Sequence, residues 1–217
     1  MNYEINNFNV DSHFVSKVYR FNRSDFLPVV KTVFDEYVNK IKNNNYVENI
    51  YPGIMTEVIS GDERMEDFVK YVSDISWDVL NMQGYNMDLF YTDASEMWGQ
   101  YHPKTSSMEK HSHGSGAVLT GFYFLNTPPE SSKMFLHDPR VAKVYAGLPI
   151  RENSELTQAH SMVYYDPQPG DIFFTDAWLD HSFTRNASDL PYNFIHINVR
   201  IVPRRMNNAS IDGPVIV

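Results

Sequence analysis

The chain has 217 residues, the size of one large domain, and 42% of them are hydrophobic, which is enough to build a core. No apolar run approaches the roughly 20 residues of a membrane-spanning helix, and a formal charge of −9 disfavours non-specific binding to nucleic acid. The absence of cysteine excludes disulfides and thiolate metal ligands.

The predicted elements divide the chain into a helical first part and a strand-rich second part. Residues 14–21 predict a strand, after which Ser24 begins a helix with apolar residues at helical spacing. A second helix begins near Asp62 and stops by Gly84. Beyond Asp88, the short aromatic-rich segments predict strands at 97–101, 118–125, 133–136, 162–165, 171–175, 181–185 and 192–202. This pattern predicts an all-β sandwich or jelly roll with the two helices packed outside it.

Three histidines form the most informative pattern. His111 and His113 are two positions apart, so on a strand both imidazoles project from one face. His181 follows a distant apolar strand and can complete three points of a coordination sphere. A three-ligand site with open positions is catalytic geometry, and this arrangement on β elements is typical of non-haem iron sites. By itself, however, a histidine pair on a strand is more often a hydrogen-bonded surface pair.

Further motifs accompany these histidines in a fixed order. They are Trp98, Thr120-Gly121-Phe122-Tyr123-Phe124-Leu125, Asp138-Pro139-Arg140, Pro169-Gly170-Asp171 and Ile195-His196-Ile197-Asn198. With them, the chain resembles the 2-oxoglutarate- and Fe(II)-dependent oxygenase superfamily between Trp98 and Val202, and most closely a group of uncharacterised members from phages and marine bacteria. The resemblance implies a double-stranded β-helix, which is a cupin-like jelly roll. We expect one domain over residues 1–217, with a helical part at about 22–84 and the core at about 88–203.

The resemblance also implies a reaction. The enzyme would bind Fe(II), consume 2-oxoglutarate and O2, release succinate and hydroxylate a prime substrate that the sequence does not identify. Ascorbate would stimulate it, and no catalytic side chain is expected beyond the metal ligands. The first seven residues lack the basic and apolar regions of a signal peptide, so we expect a cytoplasmic protein. The cytoplasm of a phage-infected bacterium is included in this expectation. A homodimer is left open.

The metal-binding motif departs from the superfamily pattern. Most members have a carboxylate where His113 stands, and three neutral imidazoles would leave the bound metal more positive. Zn or Ni could then compete with iron. Glu109 is the alternative carboxylate ligand, since it would share a face with His111 if the strand extended that far.

The cosubstrate anchor departs as well. The superfamily usually places Arg or Lys about ten residues after the distal histidine, where this chain has Pro191-Tyr192-Asn193. Arg185 is at i+4 from His181, so we expect it to point into the barrel with Tyr192 across from it. Arg200 is the competing cation, and a solvated or structural Arg185 is the alternative interpretation.

Two more tyrosines are candidate cosubstrate ligands by resemblance. Tyr101 lies ten positions before His111, and Tyr123 follows the His-x-His turn on an apolar strand. The alternative for both is core packing with a satisfied hydroxyl. His196 is interpreted as an ordinary strand histidine. Two other functions stay open: a cupin-like three-histidine metalloenzyme without cosubstrate, and a catalytically silent binding or virion-associated module.

Overall fold

The computed structural model describes residues 9–44, 52–114, 116–151 and 155–204. Within them, two antiparallel sheets face each other, and the chain passes between the sheets from β3 to β10. This is the predicted jelly-roll core, and the prediction is confirmed. Residues 1–7, on which the signal-peptide argument rests, and Ser115 in the histidine loop lie outside the described ranges.

The two sheets differ in size. The larger has the strand order β1-β8-β5-β10-β3-β2, and the smaller has the order β4-β9-β6-β7. The strands are β1 Val18–Asn22, β2 Ile54–Val58, β3 Phe90–His102, β4 Met108–His111, β5 Ala117–Asn126, β6 Met134–His137, β7 Met162–Tyr165, β8 Asp171–Asp176, β9 His181–Phe183 and β10 Tyr192–Pro203.

Two amphipathic helices cover the outer face of the larger sheet. They are α1 Leu27–Lys42 and α2 Glu66–Gln83, and each is preceded by a short 3-10 turn. Gly84 ends α2 with a φ of 99°, a left-handed conformation that glycine adopts without strain. The short α3 Val141–Tyr145 lies in the segment after β6. None of the described helices is long and apolar enough to span a membrane.

The two faces of the larger sheet pack into two separate cores. Successive side chains of a strand point to opposite faces, so odd and even positions of β5 have different surroundings. Tyr123 packs with Phe68 of α2 in the core under the helices. Phe122 packs with Phe183 of β9 in the core between the sheets. This alternation decides which side chains can reach the space between the two sheets.

Several elements differ from the sequence prediction. The first strand begins at Val18 rather than at residue 14, and β3 begins at Phe90 rather than at residue 97. The strands β2 and β4 were not among the predicted segments. The strand predicted for 181–185 ends at Phe183, after which the chain turns toward residues 184–190. A three-residue strand holds His181 in the sheet but no longer dictates the direction of Arg185.

Candidate metal centre

Four histidine side chains meet between the two sheets. His111 and His181 are paired residues of β4 and β9 in the smaller sheet. His113 lies just beyond β4, where its backbone N–H donates to the Ala177 carbonyl at 2.8 Å. His196 comes from the opposite side, in the middle of β10 of the larger sheet. The cluster therefore exists only because the sheets face each other.

The spacing of the four imidazoles is compatible with one bound ion. One nitrogen from each ring lies within 4.8 Å of the corresponding nitrogens of the other three, so a central point lies within about 3 Å of all four. Ring centroids are 4.4 Å apart for His111 and His181, 5.1 Å for His113 and His181, and 4.5 Å for His113 and His196. Rings bound to a common ion at a metal–nitrogen distance of about 2.1 Å have centroids roughly 4.5–5.3 Å apart when cis or tetrahedral.

Backbone carbonyls fix the orientation of two of the rings. Nδ1 of His111 lies 2.8 Å from the Glu109 carbonyl oxygen, and Nδ1 of His181 lies 3.3 Å from that of Leu179. Because a carbonyl can only accept, each Nδ1 carries the proton and each Nε2 keeps its lone pair. Nε2 of His113 and Nε2 of His181 have no hydrogen-bond partner among the described residues. These nitrogens are therefore available to a metal.

Burial favours the neutral form of three of the imidazoles. It lowers the pKa of His181 to about 3, with a further contribution from the nearby His111, and it lowers the pKa of His196 well below the usual value. Burial and the nearby His111 also lower the pKa of His113. Metal ligation requires the neutral form of histidine, so burial favours the ligating form near neutral pH.

Polar side chains of β3 and β10 lie at one end of the cluster. The Asn198 amide and the Arg200 guanidinium both donate to one Glu96 carboxylate oxygen, at 3.0 and 3.1 Å. Arg200 and Glu96 are partly exposed, with 45% and 37% of their side-chain surfaces accessible. Asn198 and Glu96 lie two residues from His196 and Trp98 on the same faces of their strands, so this group lies between the cluster and the solvent.

The opposite end of the barrel interior is closed by aromatic side chains. Phe122 contacts His181 and His196 edge-on, at centroid distances of 5.0 and 4.9 Å. The core beyond it consists of Phe124, Met134, Leu136, Phe173, Leu179, Phe183, Tyr192 and Phe194, each at most 4% exposed. No buried polar side chain in the described part of the chain is Lys or Arg. The interior therefore offers no cation to an anionic ligand.

The expected orientation of Arg185 is wrong. Arg185 is exposed and lies two residues past the end of β9, so the i+4 relation to His181 does not apply. Tyr192 is buried in the interior as expected from its position, but its partner on the neighbouring strand β3 is His102. The Tyr192 hydroxyl has no hydrogen-bond partner among the described residues.

Tyr101 and Tyr123 both lie on the wrong face of the larger sheet to reach the cluster. The ring of Tyr101 is covered by the Lys42 ammonium of α1, at 3.7 Å. The Tyr123 hydroxyl donates to the Arg23 carbonyl at 2.9 Å. Both side chains belong to the core under the helices, as in the packing alternative. The ten-residue spacing between Tyr101 and His111 could not predict the position of these side chains, because spacing along the chain does not show which face of the sheet the helices cover.

Sequence reasoning missed the position of His196. It was interpreted as an ordinary strand histidine, yet it stacks on Trp98 at 4.5 Å and lies within the cluster. The signal was its even parity with Tyr192 and Phe194, two aromatic residues of the same strand. The alternative ligand Glu109 is exposed, and its carboxylate is not one of the clustered groups.

A cavity of about 450 Å³ opens between the edges of the two sheets. Its walls include Leu179 and Leu136, the residue paired with His181, but none of the four clustered histidines. Polar side chains, among them His137 and Arg140, also line it.

A family model described as "Putative 2OG-Fe(II) oxygenase" matches residues 96–193. The matched range contains His111, His113 and His181 but ends before His196. No curated protein sequence matches the chain.

Solved structures share the fold at low sequence identity. A prolyl-4-hydroxylase from Pseudomonas putida superposes with a TM-score of 0.57 at 8% identity, covering 84% of this chain and 92% of that one. The epimerase SnoN in complex with Fe3+, alpha ketoglutarate and nogalamycin RO gives 0.57 at 12%, covering 88% and 82%. The viral collagen prolyl hydroxylase of Paramecium Bursaria Chlorella virus-1, in its 2OG complex, gives 0.54 at 10%, covering 85% and 96%. The family match and the shared fold confirm the resemblance inferred from the sequence.

Proposed function

We propose that this 2-oxoglutarate- and Fe(II)-dependent oxygenase holds its iron through His111, His113 and His181. The observation that carries the proposal is the convergence of three imidazoles, two of them oriented by backbone carbonyls. When bound, Fe(II) supplies the oxidative chemistry, in which 2-oxoglutarate and O2 give succinate and CO2 and a substrate C–H bond is oxidised.

The chain's own residues contribute orientation and exclusion of water. The carbonyls of Glu109 and Leu179 hold two rings in one tautomer, which directs Nε2 of each ring into the cluster. Phe122 closes the interior side, where it contacts the edge of His181. A dry wall on this side strengthens the electrostatic interactions of any bound charge. Solvent and ligands then enter from the end marked by Glu96 and Arg200, or from the cavity beside Leu136.

The cosubstrate is a dianion and needs a cation for its far carboxylate. With Arg185 exposed elsewhere, Arg200 is the remaining candidate of the two that the sequence offered. Its guanidinium and the Asn198 amide share one oxygen of Glu96, which lies two positions along β3 from Trp98, the ring that stacks on His196 of the cluster. Its pairing with Glu96 is partly exposed and therefore weak, so a carboxylate can compete for it.

Tyr192 is the competing anchor. Its hydroxyl is buried and, since burial raises its pKa well above the usual value, it stays protonated and able to donate. A carboxylate held there would be buried among phenylalanine rings with a single neutral donor, which is costly. This comparison of charges favours Arg200.

The experiment measures succinate formed from 2-oxoglutarate in the presence of Fe(II) and ascorbate, without prime substrate. Slow uncoupled turnover is expected, and His181→Ala should abolish both turnover and Fe(II) binding by calorimetry. Succinate no higher than in a chelated control, with iron shown to be bound, would contradict the oxygenase function and favour the cosubstrate-free metalloenzyme.

A second set of variants tests the anchor. Arg200→Gln should raise the 2-oxoglutarate concentration for half-maximal turnover by about 10–100-fold, because a charge-assisted hydrogen bond contributes about 1.5–3 kcal/mol. Arg185→Gln is the matched control and should change nothing. If Tyr192→Phe raised this 2-oxoglutarate concentration and Arg200→Gln did not, the far carboxylate of the cosubstrate would bind at Tyr192 in the barrel interior.

Ascorbate stimulation belongs to the same proposal, and omission of ascorbate from the assay tests it. The cytoplasmic location, the homodimer and the single domain over the whole chain stay predictions. The prime substrate is open as well; the cavity beside Leu136 is the approach that we propose for it.

A further inference from the structure

We infer that His196 is a fourth protein ligand of the metal, contributed by the sheet opposite to the other three. The inference rests on the proposed metal site, which it extends from three imidazoles to four. His196 lies outside the range of the family match, and its strand was expected to supply a cosubstrate anchor, not a metal ligand.

The position of His196 in the sheet directs its ring into the cluster. It is paired with Trp98 of β3 on one side and with Phe122 of β5 on the other. All three side chains point into the space between the sheets, where the His196 ring stacks on Trp98 with an interplanar angle of 5°. The same ring lies next to His113 and His181, with interplanar angles of 29° and 40°.

The distances from His196 to the other histidines are up to about 1 Å longer than a shared ion requires. The centroid of His196 is 4.5 Å from that of His113 and 5.8 Å from that of His181. Two nitrogens bound to one ion at about 2.1 Å are roughly 3.0–4.2 Å apart, depending on the angle between them. The largest separation among the four ligand atoms is within 4.8 Å, so binding requires a closure of about 1 Å, which small ring rotations provide.

The hydrogen bonding of His196 is the second observation. The side chain is 1% exposed, and neither of its ring nitrogens has a hydrogen-bond partner among the described residues. Buried polar groups in proteins are nearly always hydrogen-bonded, and phenylalanine would fill this aromatic site without the penalty. A metal ion bound to one ring nitrogen takes the place of that nitrogen's missing hydrogen-bond partner. The other nitrogen keeps its proton and can donate it to a water molecule, or to an acceptor brought closer by a small shift of the neighbouring residues.

Four protein nitrogens change what the metal can do. A tetrahedral ion such as Zn²⁺ would be fully coordinated by the chain, as in a structural site. A six-coordinate ion would keep two positions for other ligands. We therefore expect Zn²⁺ to bind tightly and to leave no position open. Fe(II) would keep two positions, one fewer than 2-oxoglutarate and O2 together require, so the oxygenase reaction would require His196 to be a ligand that can dissociate.

Nitrogen-15 NMR of the full-length protein, labelled at histidine and titrated with Zn²⁺ alone, tests the inference directly. Coordination changes the shift of an imidazole nitrogen strongly, and four histidines should respond, one of which disappears in His196→Phe. Three responding histidines, with the His196 signals unchanged, would overturn the inference and leave the proposed function intact. No response from any of the four would overturn both.

Affinity for Zn²⁺, measured by competition with a chromophoric chelator, gives a second readout. Outer-shell substitutions already cost about 10–100-fold in metal affinity, so His196→Phe should cost at least about 100-fold. His102→Phe is the matched control, because His102 is also a buried histidine among phenylalanine rings but lies outside the cluster. Equal Zn²⁺ affinities of wild type and His196→Phe would count against His196 as a metal ligand. If NMR showed four bound imidazoles but the protein produced no succinate, only the oxygenase function would be contradicted.

Discussion

His102 should make the stability of the fold depend on pH. The side chain is 2% exposed, and its Nδ1 has no hydrogen-bond partner among the described residues. Its Nε2 has a long contact of 3.4 Å to the Gln100 side-chain oxygen, and the Phe183 and Phe194 rings lie beside it. Burial lowers the pKa of His102 to about 4 from the usual 6.5.

The direction of the effect follows from the two pKa values. The pKa is lower in the folded chain, so the unfolded chain binds the proton first as the pH falls, and this draws the equilibrium toward unfolding. The contribution of His102 is fully present above pH 6.5 and decreases between pH 6.5 and 4. With about 1.4 kcal/mol for each pKa unit, the loss is about 2 kcal/mol at pH 5 and about 3 kcal/mol below pH 4.

Urea unfolding of the metal-free protein, in the presence of a chelator, at pH 7.5 and pH 5 measures this loss. His102→Phe removes the titrating group while it keeps a ring in the site. The free energy of unfolding of the variant, relative to wild type, should therefore rise by about 2 kcal/mol between the two pH values. His102→Leu, which also removes the imidazole, should show the same rise. A difference between wild type and variants that stays constant from pH 7.5 to 5 would refute the reasoning.

The remaining predictions concern the metal site and two glycines. His113→Asp restores the carboxylate of the wider superfamily and should keep or improve Fe(II) affinity by calorimetry relative to Zn²⁺; a loss as large as in His113→Ala would mean that position 113 does not bind the ion. Gly121→Ala should lower the free energy of unfolding by about 1–3 kcal/mol, since the added Cβ would lie 2.7 Å from the buried Phe174 ring, and Phe174→Leu should restore part of it. Gly84→Ala should cost about 1 kcal/mol and Gly84→Asn less, as judged by urea unfolding, because φ at this helix end is 99° and the space around it is open.

The proposed donor set would separate this centre from the usual one of the oxygenase superfamily that the chain resembles. A carboxylate attracts a hard cation by charge, whereas neutral imidazoles discriminate less by charge and more by softness. Burial of His181 and His196 keeps these rings neutral without a metal, so little proton release accompanies binding. The metal preference is thus set by geometry and by the number of nitrogens that reach the ion.

Three features could be read from the sequence: the jelly roll, the resemblance to the oxygenase family and the three histidines that lie together in the structure. Strand spacing and the alternation of side chains are local properties, so they do not depend on how the sheets pack. His111 and His181 could be selected because one precedes and the other follows an apolar strand, and such a local pattern is visible in the sequence.

The face of each strand that points toward the other sheet could not be predicted from the sequence, because it depends on how the helices and sheets pack. Parity groups Tyr101 with its neighbours at i±2, but the packing of α1 and α2 placed that group, and Tyr123, on the outer side. Arg185 lies outside the barrel because β9 ends at Phe183. The alternation of side chains along a strand does not predict the geometry of the loop that follows. His196 joined the cluster from the opposite sheet, since contacts between sheets depend on how distant strands pack and not on spacing along the chain.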